Sequence, residues 1–209
     1  MKILCVSDVI DPQIYSDSIK SCYADVDCIL GAGDLPLDYL DFIASCLNKP
    51  LFFVFGDDHI GGMAKNAWKY TGCTHIGSKV RKKNGLIIAA LGGCMRYNRG
   101  ANQFTDLQMY FEAFKLIPRL LYHRMVYGRF LDILLTHAPP RGTGDREDRC
   151  HQGFKAFVWF IGAFRPKYLV HGHIHLYDPS AVRCSRLKET EVINAYGHYV
   201  IDTTEGGRG

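Results

Sequence analysis

The apolar runs of this chain end in residues that can bind cations. Lys2 to Ser7 leads to Asp8, Cys28 to Leu30 leads to Gly33-Asp34, and Leu51 to Phe55 leads through Gly56 to Asp57, Asp58 and His59. Further on, Leu131 to Thr136 is followed by His137 and Ala138-Pro139-Pro140, and Tyr168 to Val170 by His171-Gly172-His173-Ile174-His175. Singly, each has a plain structural explanation: an aspartate after a strand is usually a turn or cap residue. Together they say more, because the ends of parallel strands converge on one edge of a sheet. Carboxylates gathered there repel one another unless protonated or bridged by cations. Imidazoles beside them complete a nitrogen and oxygen ligand set that suits Mn, Fe or Zn. The expectation is a centre holding one or two divalent metal ions.

The elements that must position these groups are legible in the same way. Leu86 to Leu91 reads as one further strand. Residues 35 to 47 place Leu37, Leu40, Phe42-Ile43 and Leu47 on one helical face, with Pro36 suited to the first turn. Asp106 to Tyr127 is amphipathic and interrupted at Pro118, which predicts two helices or one kinked helix. Gly153 to Phe164 predicts a helix stopped by Arg165-Pro166, and Ala181 to Asp202 reads as strands. Strands alternate with helices and then strands finish the chain, the pattern of an α/β fold. No linker or internal repeat interrupts it, so residues 1 to 209 are expected to form one domain.

Composition narrows the function classes. A hydrophobic share of 47% with 22% charged residues fits a globular chain of 209 residues, not a disordered one. The net charge of +4 arises from basic residues interleaved with acids, which argues against a nucleic-acid partner. No run reaches the roughly 18 apolar residues of a membrane span, so no membrane association is expected. The eight cysteines include no CxxC pair, and MKILCVSDV is too short for a secretory segment. They read as reduced core residues of a cytoplasmic protein.

The order Asp8, Gly33-Asp34, Gly56-Asp57-Asp58, Thr136-His137 and Gly172-His173-Ile174-His175 resembles the calcineurin-like metallophosphoesterases. Their pattern runs DxH, GD, GNH, a lone His, then GHxH, and the match spans residues 8 to 175. A divergent prokaryotic branch whose first motif lacks its histidine is similar too. The resemblance implies the metallo-dependent phosphatase fold, a two-sheet β-sandwich flanked by helices, and a dinuclear centre hydrolysing phosphate mono- or diesters with a metal-bound hydroxide. It assigns Asp34, Asp57, His137 and His173 to one metal, and Asp8, the bridging Asp34 and His175 to the other. Two such ions clamp a phosphoryl group for in-line attack.

The departures from the pattern bear on activity. Ile10 stands where the first histidine belongs and cannot ligate, so the second ion should be weak or absent. Asp57 replaces the motif's asparagine, retaining a ligand while adding a charge that makes the ion a poorer Lewis acid. Asp58 replaces the histidine that contacts phosphate and helps the leaving group depart. If the chain stays extended after Gly56, Asp57 and His59 share a face and His59 supplies the missing acid; if it turns sharply, it does not. Arg96 and Asn98, in the glycine-rich loop after Leu91, are candidate phosphate contacts, and a solvated loop is the plain alternative. His151, just before a helix N-terminus, is a candidate substrate residue or a cap. Arg141, Arg146 and Arg149 face the same choice between a phosphorylated substrate and solvent.

The leading expectation is therefore a metallophosphoesterase acting on a small-molecule or nucleotide-like phosphoester. The alternative is a metal-binding scaffold for protein partners with impaired catalysis, and a nuclease is a third, weaker reading. Because the bridging carboxylate serves both ions, Asp34→Asn should abolish metal loading. Metal content by mass spectrometry that is unchanged in this variant would overturn the ligand assignment.

Overall fold

In this computed structural model, residues 1–57, 71–98, 100–178 and 180–203 are described. In chain order these comprise β1 (Lys2–Ser7), α1 (Ile19–Cys22), β2 (Cys28–Gly31), α2 (Leu37–Leu47), β3 (Leu51–Phe53), β4 (Cys73–His75), β5 (Lys79–Lys83) and β6 (Leu86–Leu91). Next come β7 (Cys94–Met95), β8 (Gln103–Phe104), α3 (Asp106–Phe114), α4 (Ile117–Tyr127), β9 (Ile133–Thr136), α5 (Lys155–Phe164), β10 (Tyr168–His171), β11 (Cys184–Leu187), β12 (Thr190–Asn194) and β13 (Gly197–Asp202).

The strands build two principal sheets. The first runs β13-β1-β2-β3-β4 and the second β11-β12-β10-β9-β6-β5, with β7 and β8 forming a small ladder of their own. Strands β1 to β4 are mutually parallel, as are β6, β9, β10 and β12; β13, β11 and β5 add antiparallel. Parallel strands are covered on both faces, and alternate side chains here serve different cores. Ile3, Cys5 and Leu30 meet Ile88, Leu135 and Val170 between the sheets. Leu4, Val6 and Ile29 face α1 and α2, while Leu134 and Leu169 face α3, α4 and α5. The result is a two-sheet sandwich flanked by helices, as expected.

Element edges reflect local chemistry. Pro36 caps α2, with Leu37, Leu40, Ile43 and Leu47 buried. The region from Asp106 to Tyr127 is two helices: Thr105 and Gln108 close a capping box on α3, and Pro118 sits in the first turn of α4. Helix α5 begins at Lys155, not Gly153, and stops where Arg165 turns left-handed before Pro166. Strand β9 begins at Ile133, two residues beyond the expected start at Leu131. Strands β4, β5, β7 and β8 and helix α1 went unanticipated; they are short or, like β5 with its sequence KVRKK, strongly polar. Cys5, Cys28, Cys73 and Cys94 are free and buried. Among the described residues no helix is long and apolar enough to cross a membrane.

Phe160 is fully buried between α5 and the second sheet, in ring contact with Phe164 and Trp159. Phe160→Ala should cost about 3–5 kcal/mol of unfolding free energy, read from urea denaturation. A loss under about 1 kcal/mol, well short of that range, would mean that this layer does not hold the sandwich together.

Candidate metal centre

The expected convergence takes place, and it joins the two sheets. Asp8, Asp34 and Asp57 come after β1, β2 and β3 of the first sheet, whereas His137 and His173 come after β9 and β10 of the second. Backbone packing allows no slack here. A Cβ at Gly172 would lie 1.8 Å from Ser7 Oγ and 2.4 Å from Asp8 Oδ2, and one at Gly56 would lie 2.1 Å from Asp34 Oδ1. Asp8, Asp34 and His173 all adopt positive φ, at 67°, 55° and 65°. Non-glycine residues in that region are uncommon and cost of order 1–3 kcal/mol each. The surrounding fold therefore holds these side chains where local preference would not.

Asp34, Asp57, His137 and His173 each offer a donor atom, and all four atoms lie within 4.8 Å of one another. His137 Nε2 is 3.2 Å from Asp34 Oδ2, 3.2 Å from Asp57 Oδ1 and 3.1 Å from His173 Nδ1. His173 Nδ1 is 3.3 Å from Asp57 Oδ1. A regular tetrahedron with metal–ligand bonds of about 2.0 Å has edges of about 3.3 Å, so these spacings fit a divalent ion. The tautomers fit as well. His137 Nδ1 donates to the Ala32 carbonyl at 2.8 Å, and His173 Nε2 donates to the Cys150 carbonyl at 2.9 Å. A carbonyl only accepts, so each ring's second nitrogen carries the proton. The other two nitrogens then face each other among carboxylate oxygens, where a shared proton or a cation fits between them.

That arrangement calls for positive charge at its centre. Burial alone would raise the two carboxyls and lower the imidazole. The mutual bonds outweigh it, holding Asp34 and Asp57 below the usual carboxylate range and His137 well above its ordinary value. His171, by contrast, is buried and donates to the Gly172 carbonyl at 2.9 Å; burial pulls its pKa down to about 4, and it stays neutral.

Most of the other expected site residues have partners of their own. Asp8 is buried, and both its oxygens accept the His173 backbone N–H, at 2.9 and 3.0 Å. His175 Nε2 stands 3.9 Å from Asp8 Oδ1, while its Nδ1 bonds the Tyr177 hydroxyl at 2.7 Å. Among the described residues these two do not join the four-donor cluster. Ile10 is exposed. Arg96 donates to the Gln103 carbonyl, and Asn98 Oδ1 accepts from the Gly100 amide, so both are engaged within their own loop. His151 does not cap α5, whose N-cap is Phe154. It pairs with Asp148 at 2.8 Å, and its ring lies 5.3 Å from that of His173. Arg146 and Arg149 bond the carbonyls of His175 and Arg96, and Arg141 pairs with Asp145 and Glu147. These arginines tie loops together around the cluster. Asp58 and His59 lie outside the described residues.

One participant was not foreseen. The Tyr97 hydroxyl donates to Asp57 Oδ2 at 2.8 Å, turning Oδ1 toward the histidines. The bond to Asp57 pushes the pKa of this hydroxyl up, so it remains a donor. In the loop after Leu91 the basic and amide side chains carry the sequence signal, and nothing in the sequence favours its tyrosine. The Cys150 carbonyl had no sequence signal at all, because every residue carries one.

One solved crystal structure aligns over 98% of this chain and 95% of its own, with a TM-score of 0.68 at 13% identity. TT1561 of Thermus thermophilus aligns over 94% of this chain and 89% of its own, with a TM-score of 0.61 at 12% identity. A novel archaeal phosphodiesterase covers 98% and 95% at 12% identity, but its TM-score of 0.47 is too low to argue from. At such identities the likeness is one of fold. Neither a protein-family model nor a curated protein matches the chain. The fold shared with the first two structures is the α/β sandwich of two sheets flanked by helices described above.

Tyr97→Phe removes only the hydroxyl that orients Asp57. It should weaken Mn²⁺ binding about tenfold, as loss of an outer partner of a ligand does, measured by isothermal titration calorimetry. An unchanged Kd would show that Asp57 needs no such support.

Proposed function

We propose that the protein is a metal-dependent hydrolase of phosphate mono- or diesters, with Asp34, Asp57, His137 and His173 holding its principal divalent ion. The observation that carries this reading is the pair of imidazole nitrogens, turned inward by the Ala32 and Cys150 carbonyls, that face each other 3.1 Å apart beside two carboxylates. When bound, a divalent ion supplies charge stabilisation to the phosphoryl oxygens and lowers the pKa of its water.

The chain's own residues divide the remaining work. Asp57 presents Oδ1 to the cluster while Tyr97 retains Oδ2. We take His151, whose ring lies 5.3 Å from that of His173, to meet a phosphate arriving from solvent, and Arg96 and Asn98 to contact it once released from their bonds within the loop. If the chain runs extended past Gly56, His59 supplies the proton for the leaving group in place of the histidine that Asp58 displaces. Asp8 and His175 would serve a second ion through the lone pairs that Asp8 keeps beside its bond to the His173 amide, without the ligand that Ile10 removes. We therefore propose one strong site and one weakened site. Mn, Fe and Zn are the ions that this donor set favours.

A scaffold that binds metal without turnover is the second reading. It is supported by Ile10, which ligates nothing and leaves Asp8 and His175 as the remaining donors of the first motif's side. Hydrolysis of p-nitrophenyl phosphate and bis-p-nitrophenyl phosphate with added Mn²⁺ separates the two. The enzyme reading expects turnover that falls more than about 100-fold in His137→Ala, beyond the range that outer partners of a ligand cost. No turnover with any divalent ion, while metal remains bound, would sink it in favour of the scaffold.

A further inference from the structure

Helix α4 presents an apolar face to solvent. Leu121, Tyr122, Met125 and Val126 lie one turn apart in two pairs, so they form one stripe. All four are exposed, Met125 at 86%. The surroundings are basic. Between Glu112 and Asp132 the chain holds no acidic residue, but it does hold Lys115, Arg119, Arg124 and Arg129. The acids that bound this stretch are occupied: Glu112 bonds Lys115 and Ser78, and Asp132 bonds Arg129. Across the helix, Lys82 of β5 lies 3.7 Å over the Tyr127 ring, bringing the KVRKK edge strand alongside.

At the C-terminal end of α4 a cleft of about 420 Å³ opens between this helix and the end of α5. Arg124, Arg129 and Arg165 line it over an apolar floor of Phe130, Leu131 and Phe164. Among the described residues no carboxylate pairs with Arg124 or Arg165; the Arg124 guanidinium rests over the Phe130 ring. A cationic cleft beside a protruding apolar stripe matches the order of groups at a lipid surface, phosphate above acyl chain.

We propose that α4 and this cleft dock the protein onto an anionic phospholipid bilayer, the stripe entering the headgroup boundary and the arginines taking lipid phosphates. Charge complementarity selects the occupant. A second copy of this chain would bring like charges face to face. A protein partner needs a concave surface matched to these side chains, whereas a fluid bilayer conforms to a convex apolar ridge flanked by cations. Leu131 and Arg165 shortly precede β9 and β10, so the cleft lies at the N-terminal strand ends and the metal-centre donors at the C-terminal ends. Docking leaves that centre facing water. The proposed docking departs from the expectation of no membrane association but requires no spanning segment, and no described helix is long and apolar enough to be one.

The test is flotation of the full chain with vesicles of phosphatidylcholine alone or with phosphatidylserine added. Binding is expected only to the anionic vesicles, weakening as salt rises. Met125→Glu should abolish it. Arg124→Gln and Arg165→Gln should each lower partitioning about fivefold, the worth of one basic residue near such a surface. All three positions are exposed, and circular dichroism checks that each variant is folded. Equal binding to both vesicle types, no binding to either, or wild-type binding by Met125→Glu would each overturn the proposal. So would retention of soluble poly-glutamate without vesicle binding, which would point to an acidic protein partner.

Discussion

Two imidazole nitrogens and two carboxylate oxygens sit close together beneath the surface of this protein, and their mutual repulsion is relieved only by positive charge. The structure invests in holding them there. Ala32 and Cys150 lend carbonyls to fix the ring tautomers, Tyr97 lends a hydroxyl to fix a carboxylate, and left-handed backbone at Asp8, Asp34 and His173 aims the side chains. The left-handed backbone is unfavourable for folding alone. The joint presence of these devices makes sense around a cation, and the parallel strand topology is what brings them to one place.

Much of this was legible in the sequence, for a reason that can be stated. Strands buried on both faces are runs of apolar residues, and the polar residues just past their ends gather at one sheet edge. Asp34, Asp57, His137 and His173 therefore stand out in the sequence among other strand-end residues, and it is the resemblance to the metallophosphoesterase pattern that groups these four around one ion. The partners that orient them do not stand out. Tyr97 arrives through a loop whose path no local pattern encodes, and the Cys150 carbonyl belongs to no particular side chain. Strand β5 was missed because its exposed face is lysine and arginine, so the two-residue alternation that marks a half-buried strand is carried by Val80 alone.

The departures at the first motif also have a structural reading. Ile10 occupies the place of a ligand and points into solvent. Asp8 has turned both oxygens to a backbone amide of the other sheet, and His175 has taken a tyrosine as its partner. A carboxylate suited to a metal thus has a structural role in its place. Asp8 thus helps to join the two sheets beside the four-donor cluster.

That division has a mechanical side. The acidic donors belong to one sheet and the imidazoles to the other, so neither sheet alone contains a usable site, and a bound ion becomes a rivet through the seam. Occupied at about 100 times its Kd, such a rivet would add about 2.7 kcal/mol against unfolding. It would also resist any slip of one sheet over its neighbour. Residues that touch no ligand, such as Cys5, Ile88 and Val170 in the layer between the sheets, set the spacing of that seam. The bore of the site is therefore written in the hydrophobic core as much as in the residues that line it.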